Sequence, residues 1–407
     1  GDHDARLVAH EAILHRPALD QTGVVGFGAH ACALQGERNC FGAAPTVDVN
    51  DPAPFGVAHV AHQRRQLLLA LIVLVSTALS FLMLTRGHPW WDDFAGYVMQ
   101  AQAILAWKLD DFIVHNTFTI QNSSYPPGPV AYPWGYPLLL APVVALFGIH
   151  PLALKLVGIV FYALFLVIFY LLARTRLAEG EALLLTGVLA FNPVLLQASD
   201  LILSDIPFLA VSTFGIWLID RWSKKSPGFL PGPLLGAIVF CAAFLRTNGL
   251  LLFIPLAVAA LVQHWPNWKT SLRWILPPSG VFAALYLAAS LILPNGQDSY
   301  LSHFSMFNLP RLWDNLLFYL WLPSWTFNEI PAGSVFYPLL AIFLLFSPAA
   351  HWKRDLAIHT YSLATLGLFI LWPERQGLRF IYPLLPFLFI FAFDGLKLAL
   401  SRLPARW

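Results

Sequence analysis

The sequence predicts an all-α polytopic membrane protein with about ten transmembrane helices, and three observations carry that reading. Of 407 residues, 58% are hydrophobic and only 11% are Asp, Glu, Lys or Arg, whereas a soluble domain carries roughly 25% charged residues. The mean hydropathy is +0.65, and 15 Trp and 32 Phe add to the apolar surface. From Gln66 onward, apolar runs near bilayer-crossing length follow one another between short polar loops. Basic residues, finally, concentrate in alternate loops, as cytoplasmic loops do. A soluble enzyme, a disordered chain, a coiled coil and a disulfide-rich secreted domain are excluded. The net charge of +2 and the lack of a basic stripe give no nucleic-acid partner. Three cysteines, Cys32, Cys40 and Cys241, make no framework, and Cys241 reads as a packing residue.

Residues 1–62 are rich in His, Ala, Gly and Asp and show no helical or strand period. They read as an N-terminal extension, disordered or upstream of a later natural start. Residues 63–407 read as one transmembrane domain. Its spans are expected at 66–85, 152–173, 181–198, 203–220, 232–246, 249–264, 274–293, 334–349, 355–372 and 380–398. Two further apolar stretches, 135–149 and 309–322, are assigned by the basic residues. Arg64 and Arg65, Arg174 and Arg176, Arg221 with Lys224 and Lys225, Lys269 with Arg273, Lys353 with Arg354, and Arg402 with Arg406 all fall on one side if 152–173 is the second span. A crossing at 135–149 would reverse every later loop, so that stretch is expected to lie on or dip into the outer face. In 309–322, Leu309, Leu312, Trp313, Leu316, Leu317, Leu320 and Trp321 form one apolar helix face, as in an interfacial helix. Both termini are then cytoplasmic, with large outer loops at 86–151 and 294–333.

This topology gathers the unusual residues on one face. Asp92 and Asp93 open an amphipathic helix carried by Phe94, Tyr97, Ala101, Ile104 and Leu105. One carboxylate suffices to cap a helix; two leave one for chemistry. Asp200 and Asp205 form a second acidic pair before an apolar span, where capping competes with function. Arg246, Arg375 and Arg379 sit in outward turns, against the positive-inside tendency. Snorkelling explains a single such arginine. Three of them facing acidic loops point to an anion site, because a guanidinium fork matches phosphate oxygens.

At this point the chain resembles a known group. The stretch Asp93 to Tyr97, the tract Tyr125-Pro126-Pro127 to Tyr132-Pro133-Trp134-Gly135-Tyr136-Pro137, the turn Ser204-Asp205-Ile206-Pro207 and Arg379-Phe380-Ile381-Tyr382-Pro383 carry the likeness. They resemble polytopic glycosyltransferases of the GT-C superfamily, of the protein mannosyltransferase and lipid A aminoarabinose transferase type, over about residues 66–398. The resemblance implies a GT-C-like bundle with interfacial helices in its outer loops, set in the cell membrane with its site on the periplasmic or extracytoplasmic face. It implies transfer of a sugar from a polyprenyl-phosphate donor to an acceptor glycan, lipid or protein, with inversion. The catalytic acid of the first outer loop maps to Asp93. Relatives often have Asp-Glu there and this chain has Asp92-Asp93-Phe94, so Asp92 stays a candidate.

In that scheme Arg246, Arg375 and Arg379 hold the donor phosphate, and Asp93 takes the proton from the attacking hydroxyl. Asp205 positions the acceptor or joins Asp93 around a divalent cation. Asp200, Tyr97, Tyr132 and Tyr382 are further candidates for acceptor or metal positioning. A transporter or lipid flippase is the competing class; it expects ionisable groups near the bilayer midplane and related halves, and the sequence shows no internal repeat.

Overall fold

A computed structural model of the chain describes residues 53–88, 93–123, 129–222, 231–294, 309–328, 330, 333–344, 346–375 and 377–402. Among these residues every regular element is a helix. The bundle is the compact unit Arg65–Trp407. The first helix, α1 (Ala53–Leu82), begins inside the stretch read as an N-terminal extension; residues 1–52 lie outside the described residues.

Every apolar run singled out in the sequence falls on a helix. Helices α2 (Phe94–Ala106), α3 (Leu109–Gln121) and α4 (Gly135–Phe147) occupy the first large loop. Helix α5 (Pro151–Ala173) starts on a proline, which fits a first-turn position whose N–H has no helical partner. Then come α6 (Glu179–Ala190), α7 (Pro193–Ser199), α8 (Asp205–Trp222), α9 (Pro231–Leu245), α10 (Phe253–Gln263) and α11 (Trp268–Ile292). The last third holds α12 (Leu309–Trp321), α13 (Gly333–Leu344), α14 (Phe346–His351), α15 (Leu356–Leu371), α16 (Leu378–Ile381) and α17 (Leu385–Ser401).

Fewer of these helices reach crossing length than the ten expected spans suggest. By length and composition four do: Val60–Leu82, Pro151–Ala173, Trp268–Ile292 and Leu378–Ser401. The pair α6–α7 makes a fifth if its 59° bend counts as one broken span. The break has a local cause. The Asn192 side chain accepts from the Val194 and Leu195 N–H groups at 3.0 and 3.3 Å, ending one helix and capping the next, and Pro193 follows at the first helical position. The other expected spans stand as shorter apolar helices or, at α8, as an 18-residue helix with charged groups at both ends.

The two stretches expected not to cross are helices of 13 residues each, α4 and α12. At 1.5 Å per residue that is about 20 Å, against the roughly 30 Å of a bilayer core. The apolar stripe of α12 is turned outward: Leu309, Trp313, Leu317, Leu320 and Trp321 are exposed, while Asn315 and Tyr319 are buried.

Helix α5 packs on α8, α9 packs on α8 and α11, α2 on α4, α10 on α15, and both α13 and α14 on α17. Aromatic residues fill the centre, with Tyr162, Phe165, Phe169, Phe208, Tyr361 and Phe387 fully buried. Helices α1 and α11 are the reverse: only 11% and 6% of their apolar windows are covered, against 50% for α5. Such surface is stable in lipid and costly in water. Cys241, expected to pack, is an exposed free thiol on α9.

The bundle has two polar ends. Asp205 and Asp220 lie at opposite ends of α8, about 22 Å apart by helical rise. Thr85, Asp93, Asp200, Arg246 and Arg379 gather at the Asp205 end through their hydrogen bonds and ion pairs. Arg176, Arg354, Asp355 and Asp394 gather at the Asp220 end.

Candidate active site

Asp93 immediately precedes α2, the position where an acidic side chain ordinarily caps, yet it makes no side-chain capping bond. Its carboxylate turns elsewhere. Oδ2 pairs with Arg379 Nη2 at 2.8 Å, and Oδ1 accepts from the Tyr132 hydroxyl at 3.1 Å. Capping therefore does not account for this acid. Asp92 lies outside the described residues.

Tyr132 is held from two directions. Gln100, fully buried on α2, donates to the Tyr132 carbonyl at 2.9 Å and accepts from its N–H at 3.0 Å. The ring also lies directly over Gly96. A Cβ at that position would meet the Tyr132 Cε2 at 2.6 Å, so only glycine lets the ring and its hydroxyl come this close to Asp93.

Asp205, in the first turn of α8, is the second acid of the site and is almost fully buried. It pairs with Arg246 through Oδ1, and Oδ2 takes Arg379 Nη2 at 3.1 Å and Nε at 3.2 Å. One guanidinium thus spans the two acidic loops, while a second braces Asp205 from the far side. Two carboxylates against two guanidinium groups leave this cluster formally neutral. Arg246 comes from the turn after α9, and Arg379 from the short helix α16 between α15 and α17. The turn into α16 depends on Gly377, at φ +59°, a left-handed conformation that side chains rarely adopt.

Arg375 is set apart from the other two arginines. Its Nε donates to Asn315 Oδ1 at 2.8 Å, and its guanidinium lies 5.0 Å from the centre of the Phe318 ring. Asn315 is fixed in turn, donating to the Ile370 and Trp372 carbonyls at 3.1 and 2.8 Å. The three arginines expected at one phosphate site thus rest on two supports, Asp205 and the α12 face. Arg375 itself is exposed and has no carboxylate partner among the described residues.

The remaining candidates divide. Tyr97 is buried beside the acids, and its hydroxyl shares a hydrogen bond of 3.1 Å with Ser204. Burial pushes its phenol up, and the nearby Asp93 charge adds to this against the opposing pull of Arg246 and Arg379. Tyr97 is therefore a neutral hydroxyl, not a base. Tyr382 is buried in the turn leading into α17. Asp200 joins neither Asp93 nor Asp205. It pairs with Lys155 at 2.8 Å and accepts from Thr85 through both oxygens.

A divalent cation fits this arrangement poorly. Arg379 already stands between Asp93 and Asp205, and no three His, Cys, Asp or Glu side chains converge among the described residues.

Sequence reasoning missed Lys155, Gln100, Ser204 and Asn315. Lys155 left a readable signal, a lone lysine inside an otherwise apolar run, which is costly unless paired. The other three are neutral polar residues on helices or at helix edges; Ser204 stood in the Ser204-Asp205-Ile206-Pro207 turn without a role of its own, and nothing in the spacing of Gln100 and Asn315 marks them.

No protein-family model matches the sequence, and no curated protein matches it. Among solved structures the chain is similar to ArnT from Cupriavidus metallidurans bound to undecaprenyl phosphate. The TM-score is 0.56 at 16% identity, over 84% of this chain and 60% of that one. This chain thus spans about 60% of that neighbour's length. The likeness is one of fold: the chain is a polytopic membrane protein, helical throughout its described residues and built as a bundle like that neighbour's.

Proposed function

We propose that the chain is a membrane glycosyltransferase that moves a sugar from a polyprenyl-phosphate donor to an acceptor hydroxyl or phosphate, with inversion at the anomeric carbon. The observation that carries this reading is the pair of acidic loops joined by Arg379 at one end of the bundle. A carboxylate beside guanidinium groups suits the two halves of the reaction. Asp93, oriented by Tyr132 and Arg379, takes the acceptor proton as the acceptor oxygen attacks. Charge then builds on the leaving phosphate, where arginine donors stabilise it. Arg246 spends a single Nη1 contact on Asp205, so most of its five N–H donors are left for phosphate oxygens. Arg375 offers an exposed fork held in place by Asn315 and Phe318. Asp205 keeps the two inner guanidinium groups in position, and Tyr97 supplies a neutral hydroxyl beside the acceptor path. A direct displacement by this route inverts the sugar.

The deciding experiment is transfer by purified protein from a panel of polyprenyl-phosphate sugars. Product that requires Asp93 supports the reading; no product from any donor, with lipid movement across vesicles instead, replaces it with the flippase reading. The 59° bend between α6 and α7 is the observation favouring that second class, since broken helices recur in transporters. The proposed face is the extracytoplasmic one. A cysteine at Ala178 should be shielded from an impermeant thiol reagent outside intact cells, and labelling there would reverse the orientation.

A further inference from the structure

The two acidic loops are joined a second time, away from Arg379. Lys155 lies near the start of α5 with no exposed side-chain surface, and its ammonium makes four contacts. It donates to the Thr85 carbonyl at 2.9 Å, the Thr85 hydroxyl at 2.8 Å, the Gly87 carbonyl at 2.7 Å and Asp200 Oδ1 at 2.8 Å. Asp200 returns the link by accepting from the Thr85 N–H at 3.0 Å and the Thr85 hydroxyl at 2.6 Å. A third tie lies one step on, where the Ile202 N–H donates to His88 Nε2 at 2.9 Å. The His88 ring sits 4.2 Å from that of Phe94, the residue after Asp93.

Segment 85–88 precedes Asp93 in the sequence and meets its neighbour Phe94 through His88, and segment 200–204 runs directly into Asp205. An ammonium has three donors and no acceptor, so Lys155 can bind only the oxygens that face it, and these come from both segments. Buried and fully engaged, it has no donor to turn toward a ligand. Its chemistry is fastening.

We propose that Lys155 is a positioning residue: with Asp200 and Thr85 it clamps the loop carrying Asp93 to the loop carrying Asp205. The clamp sets the distance between the two carboxylates that Arg379 spans. A carboxylate base displaced by 1 Å loses alignment with the attacking oxygen, and such misplacement costs about a hundredfold in rate. Lys155 and Asp200 are taken up by the clamp itself, so donor affinity is expected to be spared. This inference rests on the transferase reading for its kinetic arm only.

The test compares Lys155→Met, Thr85→Val and Thr85→Ser in the full chain in detergent micelles. Lys155→Met keeps length and removes the charge. Thr85→Val keeps shape and removes the hydroxyl at an exposed residue, so it folds even if the buried substitution does not. Thr85→Ser restores the hydroxyl. Hydrogen exchange at the Thr85 and Ile202 N–H groups reads the clamp without any substrate. Exchange at both is expected to quicken at least tenfold in Thr85→Val, and in Lys155→Met where it folds, and to return toward the parent in Thr85→Ser. In the transfer assay kcat should fall tenfold to a hundredfold in Thr85→Val, with the donor KM within threefold and Thr85→Ser near the parent. Unchanged exchange in Thr85→Val overturns the clamp. Faster exchange with unchanged kcat overturns its role in positioning. A parent protein with no transferase activity would sink the functional reading, and the exchange arm would still decide the clamp.

Discussion

The two ends of α8 carry the same chemistry in opposite settings. At one end, Asp205 meets Arg246 and Arg379, with Asp93 sharing Arg379; the Asp93, Arg379 and Arg246 side chains are 27%, 19% and 17% exposed. At the other, Arg176 joins Asp220 at 3.0 Å and Asp355 at 2.7 Å, with Arg176 and Asp355 at 1% and 0%. Arg354 extends that second cluster to Asp394, which also accepts from Ser347. Both clusters tie loops that are far apart in sequence. Their centres differ in exposure: Asp93, Arg379 and Arg246 each keep some open surface, whereas the Arg176–Asp355 pair keeps almost none and the open surface of its cluster lies at Arg354. Charge pairing alone therefore identifies no active site in this molecule.

The sharpest way to break the comparison is Asp93→Asn. The amide keeps the size and can still accept from Tyr132, but it cannot take a proton. Transfer should fall about a hundredfold or more, with the melting temperature within a few degrees of the parent. Near-parent turnover by the purified variant would remove the base and place the two clusters on the same structural footing. A collapse confined to Asp92→Asn would instead move the base by one residue.

Asp355→Asn asks the opposite question at the other end. Neutralising Asp355 leaves Arg176 with Asp220 as its one remaining carboxylate and takes a carboxylate from Arg354, a loss of about 3 kcal/mol. Thermal unfolding should show it as a clearly lower midpoint. Turnover per folded molecule should stay at the parent level, and a large drop in that quantity would mean the Asp220 end serves the reaction too.

Much of this arrangement was legible in the sequence, for a physical reason. Apolar runs bounded by basic loops have to be helices in lipid, so the expected runs fall on helices, although most of them, like α4 and α12, are shorter than a bilayer core. The side of the bundle on which Asp93, Asp205, Arg246 and Arg379 meet followed from the topology. Pairing did not. Arg379 reaches Asp93 across 286 positions of chain, a contact that no local period encodes. The role of Lys155 was hidden similarly, because two of its four contacts are to backbone carbonyls, which every residue carries, and the others lie 45 and 70 positions away. Helix breaks such as Asn192-Pro193 were lost for a different reason, since over a span-length average the apolar residues on either side outweigh these two.

Arg375→Lys and Arg379→Lys sharpen the contrast within the accessible end. Lysine keeps the charge and membrane insertion but replaces a planar fork with a point charge. Charge-assisted hydrogen bonds contribute about 1.5–3 kcal/mol each, so donor kcat/KM should drop by roughly ten- to a hundredfold in at least one variant. At Arg375 the loss should appear mainly in donor binding, because that residue touches neither acid. If both variants use the polyprenyl-phosphate donor as the parent does, these arginines anchor the protein at the interface and the phosphate is held elsewhere.

The smallest expected effects come from two buried tyrosines that differ in a single hydrogen bond. Tyr97 and Tyr136 pack edge to face at 4.9 Å, both without meaningful exposure. The Tyr97 hydroxyl meets Ser204, whereas that of Tyr136 has no hydrogen-bond partner among the described residues. Tyr97→Phe should therefore cost about 1 kcal/mol by leaving the Ser204 hydroxyl unpaired, and Tyr136→Phe should be neutral or slightly stabilising. High pH gives the second reading. Burial raises both phenols above the ordinary value of 10.0, so the unfolded chain ionises first. Stability is then complete below that pH and falls as pH climbs toward the folded values. Phenylalanine at either position removes part of that alkaline loss. Melting curves at neutral pH and above pH 10 should thus cross for Tyr97→Phe, weaker than the parent in the first and less alkali-sensitive in the second. A Tyr97→Phe variant that abolished transfer while melting normally would show the hydroxyl acting on substrate, and the neutral supporting role assigned to it would fail.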